Sequence, residues 1–273
     1  MFLVKARFLE KQKTIKPTLT IILNCYFAVF LLSYRKLGFD LGLEKMVDEI
    51  FEQNVCDSFS KYLGKSITEL TSLFLIDSTS KNLFEMIVSR ILGCQGKANQ
   101  SIDIIRSNTI IKTIKLQENG TIKESMSFPT FDFKKIIASK WKDSDLRNMF
   151  LTQTFLFVVF SCTNNDVILS AIKFWKMPLD ILEQDVRRVW EKTVEIIQSG
   201  NIVAGIKEQK NGKSVLKTNF PGISFSNVCH VRPHARNSDD TYELPYPDKM
   251  TGMVRFTKQC FWLNNTFIRD IIK

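Results

Sequence analysis

Apolar positions along the chain fall into two periods. From Glu44 to Leu63, the residues Met46, Val47, Ile50, Phe51, Val55, Phe59 and Leu63 recur every three or four positions and share one face of a predicted helix. A second helix is predicted over Ser66 to Leu75, where Ser66 and Glu69 have capping-box spacing ahead of Leu70, Leu73 and Phe74. A third runs from Ser80 to Leu92 and closes at Gly93. The period then shortens. Ser101 to Ile105 and Thr109 to Leu116 are β-branched runs and read as strands. Asn119-Gly120 is a hairpin-turn pair, with a partner strand expected over Thr121 to Phe128. Phe155 to Cys162 is an almost unbroken apolar run, as a strand buried on both faces requires. Asn164-Asn165-Asp166 turns the chain, and Val167 to Trp175 returns as another strand. Helical spacing resumes from Pro178 to Ser199, with Ile181, Val186, Val189, Trp190, Val194 and Ile197 as the stripe and Gly200 as the stop. Asn227 to Val231 is a late strand, Ser238 to Thr251 a loop with two prolines, and Asn264 to Ile272 a terminal helix with Asn264 as N-cap. Helices, a meandering sheet and more helices predict a mixed α/β, α+β-like domain.

Composition narrows the function classes. The 273 residues are 44% hydrophobic and 24% charged, which excludes wholesale disorder. Lys and Arg number 38 against 28 Asp and Glu, a net charge of +10 that favours a polyanionic partner. The six cysteines are too sparse for a secreted disulfide scaffold and lack redox or zinc-ribbon spacing, so a reduced, cytoplasmic protein is expected. Cys229, His230 and His234 are the nearest approach to a zinc cluster, and they lack a fourth ligand.

The N-terminus has a different character. Leu19 to Leu32 is an apolar run that follows five basic residues and precedes Arg35 and Lys36. It is shorter than the roughly 20 residues a spanning helix needs, contains Asn24, and is followed by no small-x-small cleavage site. We expect residues 1–43 to form an apolar segment and linker, and 44–273 the folded domain. A membrane-anchored protein of unrelated function is the alternative that this segment raises.

Candidate chemistry concentrates between Ser89 and Lys112. A helix, a loop, a strand with Asp103 and an edge with Lys112 is the layout of metal-dependent PD-(D/E)xK nucleases, in which carboxylates hold Mg²⁺ and a lysine helps to polarise water. An Asp and a Lys alone are a weak signal. Longer matches accompany them: Gly64-Lys65-Ser66-Ile67 with Glu69-Leu70, then Ile110-Ile111-Lys112-Thr113-Ile114. His230-Val231-Arg232-Pro233-His234-Ala235-Arg236-Asn237 and Thr257-Lys258-Gln259-Cys260-Phe261-Trp262-Leu263-Asn264-Asn265 are the most specific. Through these, residues 62–273 resemble the family of the MutH mismatch-repair nicking endonuclease and the Sau-type restriction endonuclease that cuts GATC. Lys123 to Phe128 and Lys176-Met177-Pro178 resemble, more narrowly, the C-terminal half of the Sau-type enzyme.

The resemblance implies a restriction-endonuclease-like fold, with a mixed central β-sheet flanked by helices. It also implies a damaged metal site. The family's helix Glu falls on Ser89 and the Glu of its Glu-x-Lys element on Ile110, while the strand Asp and the Lys fall on Asp103 and Lys112. Glu85 is one helical turn from Ser89, about 6 Å too far to replace the missing acid in an unchanged site. The C-terminal half of the Sau-type enzyme has lost its nuclease centre and binds a further GATC site as an allosteric effector. The expectation is therefore a non-catalytic DNA-binding domain with no cofactor, Mg²⁺ entering only if a rearranged site keeps the chain an active endonuclease. The implied partners are double-stranded DNA containing GATC and a catalytic endonuclease half or subunit. Arg232, Pro233 and His234 match the loop that reads the site, and Trp262 falls where the family has a Tyr that reaches adenine. Arg236, Lys258, Asn264 and Asn265 complete the expected DNA-binding set.

Overall fold

A computed structural model describes residues 43–273, apart from 165 and 209–213. The Leu19–Leu32 run, the linker after it and the middle of the Asn164–Asp166 turn lie outside the described residues.

Helices α1 (Leu43–Ser60), α2 (Ile67–Phe74) and α3 (Leu83–Ile91) open the described chain, as their periodicity predicts. The capping box forms: the Ser66 side chain accepts from the Glu69 amide, and the Glu69 carboxylate accepts from the Ser66 amide at 2.7 Å. The first strand predicted after them does not form. Ser101 accepts from the Ile104 amide as an N-cap and starts the short helix α4 (Ile102–Arg106). A side-chain cap, with Asp103 in the first turn to complement the helix dipole, outweighs the β-branched composition of this run. Asp103 is therefore an exposed helical residue, which corrects its expected place on a strand.

A mixed sheet follows, in the order β1 (Thr109–Leu116), β3 (Thr154–Cys162), β4 (Val167–Trp175). β1 runs parallel to β3, with Thr109 opposite Thr154, and β4 runs antiparallel to it. β3 is the centre. Leu156, Val158 and Phe160 pack on one side with Val55, Phe59, Leu70 and Ile87 from the first helices, while Phe155 and Phe157 pack on the other. Burial on both faces explains its unbroken apolar run. Both edges of this sheet are occupied. Residues at the α1–α2 junction bond to β4, with the Gly64 amide donating to the Leu169 carbonyl. Asn99 covers β1, its side chain both accepting from the Ile111 amide and donating to the Ile111 carbonyl.

A second, antiparallel sheet has the order β2 (Met126–Phe131), β10 (Gln259–Leu263), β7 (Cys229–Pro233). The turn at Asn119-Gly120 forms, with Gly120 at φ +72°, but β1 meets the returning chain only at the Leu116–Ile122 bridge. β2 then leaves to pair with β10, a partner that lies 128 or more residues on and that no local pattern announces. Helices α5 (Phe133–Ala138) and α6 (Asp145–Thr152) precede β3. The predicted helix after Pro178 forms in three pieces: α7 (Leu179–Ile181), a π turn over Leu182–Val186, and α8 (Arg187–Ser199), which ends at Gly200 in the left-handed region. β5 (Val203–Glu208) and β6 (Ser214–Thr218) form a separate ladder. The expected loop at Ser238–Thr251 contains β8 (Thr241–Glu243), which pairs with β9 (Arg255–Thr257). α9 (Asn265–Ile272) closes the chain. Val189, Trp190 and Ile197 of α8, Val231 of β7 and Phe261 and Leu263 of β10 share one core with Phe155 and Phe157. The architecture is thus mixed α/β, with helices around several sheets.

Candidate nucleic-acid interface

β7 and β10 present alternate residues to their two sides. Cys229, Val231, Phe261 and Leu263 enter the core. His230, Arg232, Cys260 and Trp262 share the other side, with Trp262 opposite His230 and Cys260 opposite Arg232. Arg232 is exposed and lies over the Trp262 ring, its guanidinium carbon 4.4 Å from the ring centroid. The Trp262 indole N–H donates to the Arg232 carbonyl at 3.3 Å. The edge of the exposed His234 ring meets the same indole at 5.3 Å, and the His230 ring stacks on it at 6.4 Å. Pro233 ends β7 and is exposed beside them. The structure thus brings together Arg232, Pro233, His234 and Trp262 from the sequence-based set.

The other four are placed differently. Lys258 is 2.5 Å from Asp240 and lies over the Tyr242 ring, so its charge is already engaged. The Lys258 ammonium holds the Asp240 carboxyl below its ordinary range, and the Arg236 amide adds to this. The Arg236 side chain is exposed in the same loop. Asn264 occupies the N-cap position of α9 without capping it. It is 1% exposed, donates to the Ser226 carbonyl at 2.7 Å and meets His230 Nδ1 at 2.6 Å. A side chain so enclosed has no surface to offer a phosphate. Asn265 donates to the Ile122 carbonyl and accepts from the Thr266 amide, fastening α9 to the turn after β1. His230, present in the matched motif but predicted only as a metal candidate, emerges as a buried member of the cluster. Its pairing with Trp262 depends on strand register, which the sequence motif does not encode.

The residues at the family's metal positions do other work. Ser89 is buried; its hydroxyl donates to the Glu85 carbonyl at 2.8 Å and accepts from the Ala98 amide at 3.0 Å. Ile110 packs against the larger core. The Lys112 ammonium donates to the Ser127 carbonyl at 3.1 Å and lies 5.5 Å from the Phe128 ring centroid, tying the mixed sheet to the second one. Burial pushes Lys112 below the ordinary lysine range, opposed by the charges of Glu85 and Cys260. Cys260 is in turn pushed up to about 11 by burial, with the Phe128 backbone, Arg232 and Lys112 pulling the other way. Lys112 and Arg232 therefore both lie near one thiol. A cavity of about 240 Å³ adjoins Ser89, lined also by Glu85, Ala98, Asn99, Ile111 and Thr113 among others.

This donor set does not fit Mg²⁺, a hard cation that takes about six oxygen ligands. The Ile110 side chain has no lone pair, the Ser89 hydroxyl is committed to backbone groups, and Asp103 is the one carboxylate of the set. Among the described residues, no three His, Cys, Asp or Glu side chains converge as metal ligands would. Cys229 enters the core on the opposite side of β7 from His230, which separates the members of the zinc candidate. Among the described residues, no helix is long and apolar enough to cross a membrane.

Over 258 aligned residues the chain is 32% identical to a type II restriction enzyme, Sau3AI, of Staphylococcus aureus. The alignment takes in 84% of this chain and 52% of the relative, so the chain spans about half the length of the protein it matches. No family model matches the chain.

Proposed function

The chain belongs to the Sau-type restriction endonuclease family, and from that membership we propose that it binds double-stranded DNA at GATC as a non-catalytic effector domain or subunit of a type II restriction system. The fold would be of the restriction-endonuclease-like type, with residues 44–273 as its single domain. One observation carries the binding assignment. Arg232 is exposed at the end of a strand, held over the Trp262 ring and flanked by Pro233 and His234. A guanidinium so presented can bond guanine O6 and N7 together, the contact that best separates G·C from the other pairs in the major groove. Exposed Arg236 and the net charge of +10 would supply phosphate attraction that is independent of sequence.

The non-catalytic half of the proposal rests on the donor chemistry at Ser89 and Ile110. Lys112 is bonded into the fold through the Ser127 carbonyl, and of the family's three acidic positions this sequence retains an acid only at Asp103. A catalytic endonuclease half or subunit would then supply cleavage, in a reducing, cytoplasmic setting that suits unpaired thiols.

Two measurements test this. In a gel-shift titration, wild type should prefer a GATC duplex over a scrambled one, and Arg232→Ala should bind both alike. Equal discrimination by the variant would remove Arg232 from base reading. In a plasmid nicking assay with Mg²⁺ or Mn²⁺, the chain alone should leave supercoiled DNA intact. Nicking by wild type but not by Asp103→Ala would instead establish an active endonuclease with a rearranged site.

A further inference from the structure

Behind the exposed arginine lies a chain of contacts that ends in the protein interior. Asn264 is buried at the start of α9, and its amide nitrogen donates to the Ser226 carbonyl. That bond fixes the amide orientation, so its oxygen faces His230 Nδ1 as an acceptor. The imidazole must therefore carry its proton on Nδ1. It is 4% exposed and nearly parallel to the Trp262 indole, at an interplanar angle of 18°. Trp262 lies on the central strand of its sheet, opposite His230, and carries the Arg232 guanidinium on its ring.

We propose that Asn264 and His230 are positioning residues for DNA recognition: they fix the plane of Trp262, and Trp262 fixes the Arg232 guanidinium. Neither need touch DNA. The proposal rests on the assignment of Arg232 as the base-reading residue. An unsupported arginine has several rotatable bonds to immobilise on binding, whereas one already laid on an aromatic ring has fewer left to lose. Discrimination between bases needs the guanidinium in one plane, while phosphate attraction does not. Loosening the support should therefore cost specificity and spare non-specific affinity.

The experiment uses the full chain and measures Kd for a GATC duplex and a scrambled duplex at one salt concentration. Wild type, Arg232→Ala, His230→Ala, Asn264→Ala, the double variant of the last two and His230→Phe are compared, with folding checked by circular dichroism. His230→Phe keeps a buried ring against Trp262 but drops the bond to Asn264, and it serves where the alanine variants do not fold. His230→Ala and Asn264→Ala should each lower the GATC preference about tenfold, within what one bidentate arginine–guanine contact supplies. Their double variant should lose little more, as residues acting in series are not additive. His230→Phe should lose at least about threefold of the preference by the same mechanism. Affinity for the scrambled duplex should stay within about twofold throughout, since phosphate contacts set it. An unchanged preference in a folded His230→Phe overturns the proposal, as does a parallel fall in both affinities. If Arg232→Ala itself keeps the preference, the base-reading assignment fails instead.

Discussion

Replacing Ser89 by alanine separates a residue that merely lost a carboxylate from one recruited into the fold. Ser89 is 7% exposed on α3, and its hydroxyl accepts the Ala98 amide at 3.0 Å across nine residues. Ala98 is 6% exposed. Removing the acceptor leaves a buried N–H without its partner, a loss of about 1–3 kcal/mol. Two effects offset part of it. Alanine is the better helix former, by up to about 0.7 kcal/mol. The adjoining cavity, of about 240 Å³, gives water a route toward the freed amide. The net expectation is a destabilisation of about 1 kcal/mol, taken from the lower part of the hydrogen-bond range. In urea unfolding with a slope near 2 kcal/mol/M, that moves the midpoint down by about 0.5 M with the slope unchanged. DNA affinity should not change. A midpoint within about 0.1 M of wild type, less than one lost hydrogen bond should produce, would refute the structural role of the hydroxyl.

Leu75 ends α2 in the left-handed region at φ 52°, with its side chain 92% exposed. Leu75→Gly relieves that strain and gives up almost no burial, so stability should rise by about 0.5–1 kcal/mol even after the larger entropy of an unfolded glycine is counted; an unchanged melting temperature would count against it. Burial holds the His230 imidazole below its ordinary value of 6.5, and the Arg232 charge adds to this while the Asn264 bond opposes it. The unfolded chain therefore takes up a proton first, so this contribution to stability is full above pH 6.5 and is lost as pH falls toward the depressed folded value. Between pH 7 and pH 5, wild type should lose more unfolding free energy than His230→Phe, and equal losses would contradict the shift.

How much of this was legible in the sequence depended on the range of the interaction. α2 was readable to its capping box because Ser66 and Glu69 are three residues apart. β3 was readable because burial on both faces leaves no polar period to find. Local rules failed at Ile102–Arg106, where two local signals conflicted and the Ser101 cap prevailed over β-branched composition. They also failed for β2, since β10 pairs with it from 128 or more residues away. In the candidate site, the matched motifs found Arg232, Pro233, His234 and Trp262 but not their mutual geometry. Which strand residues face each other is set by register, and the β7–β10 register alone places His230 against Trp262. Asn264 shows the converse. Its position before α9 has the spacing of an N-cap, yet its side chain is taken by two partners brought near by the fold, His230 and Ser226.

If the chain is the non-catalytic DNA-binding unit proposed above, the neutral residues at Ser89 and Ile110 and the retained cluster around Arg232 have one physical basis. A carboxylate that no longer binds a cation becomes a buried or crowded charge without compensation, and the fold is stabilised when a neutral group replaces it. Ser89 and Ile110 fit that description, one bonding a buried amide and the other extending the core. Lys112 survives for a different reason: its ammonium still has the Ser127 carbonyl to bond and the Phe128 ring to lie near. Those contacts join the mixed sheet to the sheet that carries Arg232. Lys112 and Arg232 both act on Cys260 against its burial, so both lie near the strand that carries Trp262. On the proposed reading Lys112 would have a structural part in binding, since its bond to Ser127 and its contact with Phe128 hold together the two sheets behind Arg232.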